Sequence, residues 1–250
     1  MAAMALGAVQ PAAAGDEGIV TDRPDFVESS KVVGPGRFQV ETSLLAERSR
    51  AGGATVRTLS TPTLLRYGVG DAFELRVESD GRVIEHARAG TTAGYADTSL
   101  GVKWHVLDEA PGLPSVGILL HADVASGSAA FRGQGVRPSL RMAAEWALPG
   151  ELALGLMPGI GQERDAAGAR YGYGIFGAVL GKGITPAVRA FVEVAMPQIA
   201  RSRHGGTQAT FDTGAGWLLS DKCQLDAMLA FGLNRRTPDV ALTIGFSYKL

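Results

Sequence analysis

Alternation of apolar and polar positions is the clearest pattern in this sequence, and it is unbroken at the C-terminal end. From Val240 to Leu250, every even position is large and apolar, whereas every odd position is small or polar. Successive side chains of a β-strand point to opposite faces, so this stretch predicts a strand with one apolar and one polar face. An outer-membrane β-barrel needs the apolar face in lipid, whereas a soluble sandwich needs it in a core.

The same alternation recurs along the chain. Residues 73–78 alternate three apolar with three charged side chains, and residues 96–107 alternate apolar residues with small or polar ones. No apolar run approaches the ~20 residues that a membrane-spanning helix requires. The pattern therefore predicts an all-β fold, namely a closed antiparallel up-and-down transmembrane β-barrel of about twelve strands over residues 37–250.

The connections between the predicted strands alternate in length. The short set consists of Gly68–Asp71, Asp108–Leu113, Pro149–Gly150, Gly181–Gly183 and Ser220–Asp221. The longer, polar set consists of Arg48–Ala54, Arg82–Tyr95, Ser126–Gly135, Gln162–Ala169, Ala200–Gly206 and Asn234–Asp239. Short periplasmic turns and long extracellular loops are typical of bacterial outer-membrane barrels. An even number of strands places both chain ends on the periplasmic side.

The residues before the first strand divide into two parts. Residues 1–14 combine a short apolar stretch with a small-x-small site at Ala12–Ala14, so we interpret them as part of a signal peptide, without its basic region. Residues 15–36 hold acidic residues, Arg23, Pro24 and Phe26 in a pattern unlike a strand. We expect this segment to fold into the lumen as a plug or to lie across the periplasmic mouth.

Charged residues on the strands must point away from lipid, because Arg or Lys at mid-membrane costs roughly 2–4 kcal/mol. We therefore expect a lumen lined by charges of both signs, and a narrow or plugged lumen, since about twelve strands leave limited space. The turn at Gly68–Asp71 predicts that Arg66 lies near Glu74, with Lys103 close by. The lumen-lining candidates are Glu41, Arg66, Glu74, Arg76, Glu78, Asp97, Lys103, His105, Arg137, Arg141, Glu145, Arg189, Glu193, Asp212 and Asp226.

Composition and motifs exclude several other classes. The net charge of -1 and the absence of a basic helix predict no nucleic-acid partner. The four histidines are scattered without metal-ligand spacing, and His121 and Asp123 share one strand face as only a weak hint. No Gly-rich phosphate loop opens a helix. We therefore predict no catalytic residues, no metal and no cofactor, and no enzyme.

Several spaced stretches resemble one known family. They are Thr21–Phe26, Leu65–Gly68 followed by Phe73–Arg76, Asp97–Trp104, and Leu225–Asn234 with Pro238–Asp239. The chain resembles, from about Thr21 to Leu250, the outer-membrane β-barrel transporters named after the meta-cleavage pathway of phenol degradation. The resemblance implies an outer-membrane barrel that transports small compounds, aromatic ones among them. Such barrels usually end in Phe, and Leu250 departs from that pattern.

These observations favour a monomeric barrel in the bacterial outer membrane that acts as a passive channel or transporter for small solutes. The alternative is a closed structural barrel that binds lipopolysaccharide, since every long connection or adjoining strand end carries Arg, a good phosphate ligand. An enzyme acting on envelope lipid is the third hypothesis. The expected partners are outer-membrane lipid, lipopolysaccharide and the barrel-insertion machinery, which would read the C-terminal strand.

Overall fold

A computed structural model describes residues 18–51, 54–165 and 167–250. The predicted signal peptide, residues 1–14, lies outside the described residues. Within the described part, the strands are β1 Phe38–Ala51, β2 Ala54–Ser60, β3 Thr63–Val69, β4 Phe73–Ser79, β5 Arg82–Ala87, β6 Gly90–Tyr95, β7 Thr98–Leu107, β8 Ser115–Val124, β9 Arg137–Leu148, β10 Leu152–Leu156, β11 Gly159–Arg164, β12 Arg170–Thr185, β13 Val188–Ile199, β14 Gln208–Ser220, β15 Cys223–Gly232 and β16 Val240–Lys249. One short 3-10 helix spans Ser202–His204.

These strand segments form twelve antiparallel passes across one barrel wall in the described residues. Four passes consist of two segments in line, namely β2 with β3, β4 with β5, β6 with β7, and β10 with β11. The breaks fall at two-residue interruptions such as Thr61-Pro62 and Met157-Pro158. Proline has no N–H for the ladder, so the strand ladder is interrupted there while the pass continues.

The barrel is closed, because the first and last strands pair with each other. Val40 is opposite Tyr248 and Leu44 is opposite Ile244 in the β1–β16 register. All strand pairs are antiparallel. Closure leaves no unpaired sheet edge along these two strands, which a barrel in lipid requires. The prediction of a closed barrel of about twelve antiparallel strands is confirmed. None of the helices in the described residues is long and apolar enough to cross a membrane.

Two predicted connections differ from the structure. The predicted loop Arg82–Tyr95 is wrong: it forms β5 and β6, which pair with each other, while β5 also pairs with β2. The predicted turn Gly181–Gly183 is also wrong, because β12 continues through it to Thr185. In both places neighbouring strands are long enough to supply ladder partners, so glycine does not end the strand. The loop predicted at Arg48–Ala54 is likewise shortened by β1 and β2, and its residues 52–53 lie outside the described residues.

The outer surface of the barrel is apolar. Leu100 and Ile244 expose 50% and 56% of their surfaces, and Trp104 and Phe246 are also exposed rather than gathered in a core. Aromatic side chains collect near the short-turn end, on the outward positions of several passes. They are Phe38, Tyr67, Phe73, Trp104, Trp217 and Tyr248. Phe73 and Trp104 stack with ring centroids 5.9 Å apart. An apolar belt with an aromatic girdle is typical of a barrel that spans a membrane.

Candidate functional site in the barrel interior

The interior of the barrel contains the segment before the first strand. Residues 18–36, here called the N-terminal segment, form hydrogen bonds with inward side chains of β1, β3, β4, β7, β9 and β13. Most side chains of this segment from Thr21 to Ser30 are buried. Irregular backbone at membrane depth requires partners in the protein, and the wall supplies them here.

Asp22 lies at the centre of a buried network of charges. Its Oδ2 atom accepts hydrogen bonds of 2.6 Å from both Arg76 Nη1 and Lys103 Nζ, and it lies 3.3 Å from Arg66 Nη1. Its Oδ1 atom accepts the backbone N–H of Ser29. One carboxylate of the segment therefore contacts cations on β3, β4 and β7, which together hold the segment's fold against the wall.

Arg66 joins the segment to two acidic residues of the wall. Its guanidinium donates to both oxygens of Glu74 at 2.8 and 2.9 Å, in a bidentate pair, and to Glu41 at 2.8 Å. It also donates to the backbone carbonyls of Val20 and Lys31. The predicted approach of Arg66 and Glu74 is confirmed. All three side chains are fully buried, so each charge depends on its partners for stabilisation.

A second set of contacts holds the middle of the segment. Glu28 accepts from Arg76 at 2.6 Å and from Arg141 at 3.0 Å. Glu145 on β9 accepts the Ser30 N–H at 2.6 Å, and the hydroxyls of Ser30 and Ser115 lie 2.7 Å apart. These contacts extend the polar anchoring of the segment to β8 and β9.

The opposite side of the segment is apolar. Val27 packs in a buried cluster with Met157, Val179 and Phe191, and Phe26 lies against the same cluster. The backbone N–H groups of Phe26 and Val27 each donate to Glu193 at 2.8 Å. The segment is therefore fixed by ion pairs on one wall and by apolar packing on the other.

A third part of the interior is acidic and less completely paired. Arg189 pairs with Asp25 of the segment at 3.2 Å. Asp212 accepts from Thr210 through one oxygen, while its other oxygen and both oxygens of Asp226 are buried without a hydrogen-bond partner among the described residues. Buried carboxylate oxygens without partners are costly, so this wall differs in character from the ion-paired wall.

Three of the sequence-predicted candidates lie towards the two ends of the barrel. At the long-loop end, Asp97 accepts from the backbone of Gly127 and Gly133 and pairs with Arg137 at 2.8 Å. At the short-turn end, His105 lies 3.0 Å from both the Ser30 carbonyl and Asp108. Glu78 lies deeper, where it interacts with His121, Arg141 and Arg76.

The structure thus brings most of the candidates around one segment. Sequence reasoning did not assign the segment's Asp22, Asp25 and Glu28 as partners of the wall, nor Gln39, which donates to Glu41 at 2.8 Å. It also missed the apolar anchors Phe26 and Val27. The presence of both charge signs in the strands and in the segment is the one signal in the sequence that indicates this pairing.

A cavity remains beside the segment at the short-turn end. It has a volume of about 780 Å³ and is lined by the segment and by β9, β10, β12, β13, β14 and β15. Its polar lining includes Asp25, Ser29, Glu145, Arg189 and Gln224. The interior is therefore partly filled and partly open to the side on which the chain begins and ends.

The closed wall, apolar outer belt and polar interior define a transmembrane β-barrel of the bacterial outer membrane. The sequence matches the family described as "Putative MetA-pathway of phenol degradation" over residues 21–250, and the chain belongs to that family. No curated protein matches the sequence.

Solved structures of outer-membrane barrels share this fold at low sequence identity. An outer-membrane channel from Pseudomonas putida F1 is 14% identical, with a TM-score of 0.64 over 91% of this chain and 99% of that chain. The β-domain of the Bordetella autotransporter BrkA is 13% identical, with a TM-score of 0.57 over 84% and 98%. The NanC porin is 12% identical, with a TM-score of 0.56 over 85% and 100%. These similarities concern the fold.

Proposed function

We propose that the protein is a passive outer-membrane channel for small solutes whose lumen is plugged by the N-terminal segment. The observation that carries the proposal is the ion-paired segment inside a closed barrel, next to a cavity of about 780 Å³. A water-filled path needs polar groups along it, and part of the cavity lining supplies them. The family description names phenol degradation, so small aromatic compounds are the first solutes to test.

Planar-bilayer conductance tests this function. We expect the chain to conduct weakly and a variant lacking residues 18–36 to conduct several-fold more. The double variant Asp22→Asn, Glu28→Gln loosens the segment without removing it and should also conduct more. The matched control Glu85→Gln, Asp239→Asn removes two carboxylates from the long-loop end and should leave conductance unchanged. If all variants refold, as judged by heat-dependent gel mobility, and none conducts, the channel function is wrong.

A closed structural barrel is the second candidate, and the full burial of Arg66, Lys103, Glu41 and Glu74 favours it. In that case the arginines at the long-loop end would bind phosphate groups of lipopolysaccharide. Arg201 and Arg203, for example, are exposed there. Substituting both by Gln should then weaken lipopolysaccharide binding in a co-sedimentation assay, while solute entry into proteoliposomes stays at the level of empty vesicles.

The assembly partners follow from the same architecture. We propose that the chain is a monomer and that the insertion machinery recognises β16, whose outward side chains include Ile244, Phe246 and Tyr248. Exchanging Leu250 for Phe should speed assembly if the terminal residue takes part in that recognition. No change in the assembly rate would indicate that the rest of β16 is sufficient.

A further inference from the structure

His121 is a buried histidine whose polar atoms have no partner. It lies on β8 with 3% of its surface exposed, and neither Nδ1 nor Nε2 has a hydrogen-bond partner among the described residues. Its ring rests over Gly101 on β7, where an added Cβ would lie 2.0 Å from His121 Cδ2. Buried imidazole nitrogens are normally satisfied, so the wall holds this ring in a defined place without using either nitrogen.

Two carboxylates approach this imidazole from different parts of the fold. Glu78 comes from β4 and Glu28 from the N-terminal segment, and one ligand atom of each of the three residues lies within 4.8 Å of the others. Tetrahedral coordination with bonds of ~2.1 Å holds ligand atoms about 3.4 Å apart. Modest side-chain rotations therefore suffice to bring one nitrogen and two oxygens around a common point.

From this geometry we propose that Glu28, Glu78 and His121 bind a divalent transition-metal ion such as Zn²⁺, which clamps the N-terminal segment to the wall. An imidazole nitrogen with two carboxylate oxygens suits Zn²⁺, whereas Ca²⁺ and Mg²⁺ prefer oxygen ligands alone. The two carboxylates neutralise the charge of the ion. A fourth position is left for water.

Three cations lie near Glu28 and compete with a metal ion for it: Arg76, Arg141 and Lys103, whose Nζ is 3.9 Å from Glu28 Oε2. Arg76 and Arg141 each contact one oxygen of Glu28, which leaves the second lone pair of each oxygen for an ion. Arg76 keeps Asp22 and Glu74 as partners when Glu28 turns towards a metal. Arg141 is more exposed, so its guanidinium can be solvated in place of that contact.

Direct metal binding tests the site. The refolded barrel is stripped with a chelator in detergent, titrated with ZnCl₂ by calorimetry and analysed for bound zinc by mass spectrometry. We expect one Zn²⁺ per chain, with affinity at least about tenfold weaker in His121→Ala and in Glu78→Gln. His86→Ala removes an exposed histidine and should bind as the wild type does. Wild-type affinity in both His121→Ala and Glu78→Gln, or no binding by the wild type, overturns the proposal.

A further variant leaves all three ligands in place. Gly101→Ala pushes the His121 ring away from the wall, so Zn²⁺ affinity should fall, whereas Gly172→Ala, where the new Cβ meets ordinary contacts only, should have no effect. Equal affinity in Gly101→Ala and Gly172→Ala would contradict the placement of His121 in the site. Refolding of each variant is checked by heat-dependent gel mobility.

That the metal ion holds the N-terminal segment against the wall and so limits conductance rests on the proposed channel function. This effect is tested separately from metal binding itself. With a conducting barrel, we expect chelator to raise conductance and Zn²⁺ to lower it again in the wild type, and neither to act on His121→Ala. If neither chelator nor Zn²⁺ changes the conductance of the wild type, the metal ion does not hold the segment in the lumen, and this part of the proposal is wrong. A barrel that never conducts overturns the channel function, and the metal site is then decided by Zn²⁺ binding alone.

Discussion

At the scale of single residues, Arg66 is the side chain on which the interior depends most. It contacts Glu41, Glu74 and Asp22 together and is fully buried. Arg66→Met should destabilise the barrel by about 3–5 kcal/mol, because it leaves the buried Glu41 carboxylate without a cation among the described residues and removes one of the cations that Asp22 and Glu74 share. Urea unfolding in lipid vesicles measures this loss. Arg50→Met, at an exposed 3.9 Å pair with Asp239, should change stability by less than about 1 kcal/mol. Equal losses in the two variants would contradict the role of Arg66.

Residue-level prediction from the sequence succeeded where strand parity decides direction. The alternation of side chains along a strand predicted that Arg66 and Glu74 point inward. The tight turn between β3 and β4 predicted that the two side chains lie close together. Neither could give the partners of Asp22, which lie 54 and 81 positions further along the chain. The segment has no strand or helix period, so its side-chain directions follow only from the complete interior. The sequence also did not predict the cluster of Glu28, Glu78 and His121, because its members have no characteristic spacing along the chain.

At the scale of elements, the N-terminal segment and the wall fit each other through wall glycines. A Cβ on Gly117 of β8 would lie 2.8 Å from the carbonyl oxygen and 3.0 Å from the Cα of Ser30. The clash is with backbone atoms, which cannot avoid it by rotating as a side chain can. Gly117→Ala should therefore displace the segment around Ser30, although the variant removes none of the ion-pairing side chains.

Limited proteolysis and conductance both measure that displacement. Gly117→Ala should expose the segment to cleavage after Lys31 and raise conductance. Gly181→Ala is the matched control, because its new Cβ also points inward but meets only contacts of 3.9 Å or more. If the two variants are cleaved at the same rate, the segment does not depend on close approach at Gly117.

The elements that the sequence predicted incorrectly share one physical cause. Residues 82–95 contain polar residues and glycines, which indicate a loop, yet they form β5 and β6 because β2 offers β5 a ladder edge. Hydrogen bonds such as Ala96 N–H to the Gly81 carbonyl carry the pairing across the strand breaks. Tertiary pairing overrides local propensity here, as it often does in strands.

At the scale of the whole molecule, the barrel's position in the bilayer follows from its outer surface. Trp104 belongs to the aromatic girdle, and Leu100 lies four residues from it on β7. On β16, Ile244 likewise lies four residues from the girdle residue Tyr248. Four residues rise ~13 Å along a strand, or about 10 Å along the membrane normal at a tilt of ~40°. Leu100 and Ile244 are therefore close to the middle of an apolar band about 25 Å tall.

This placement predicts a depth-dependent cost for a charge on the outer face. Leu100→Arg and Ile244→Arg should each destabilise the barrel by roughly 2–4 kcal/mol, whereas Phe73→Arg in the girdle should cost about 0–1 kcal/mol beyond the loss of its stacking on Trp104. Reversible folding into phosphatidylcholine vesicles measures all three. The losses of folding free energy in Leu100→Arg and Ile244→Arg should be equal. The two residues lie on different parts of the barrel, on β7 and β16, so only a common membrane plane predicts equal losses. A small cost at both central positions, with a large cost at Phe73, would place the bilayer elsewhere on the barrel.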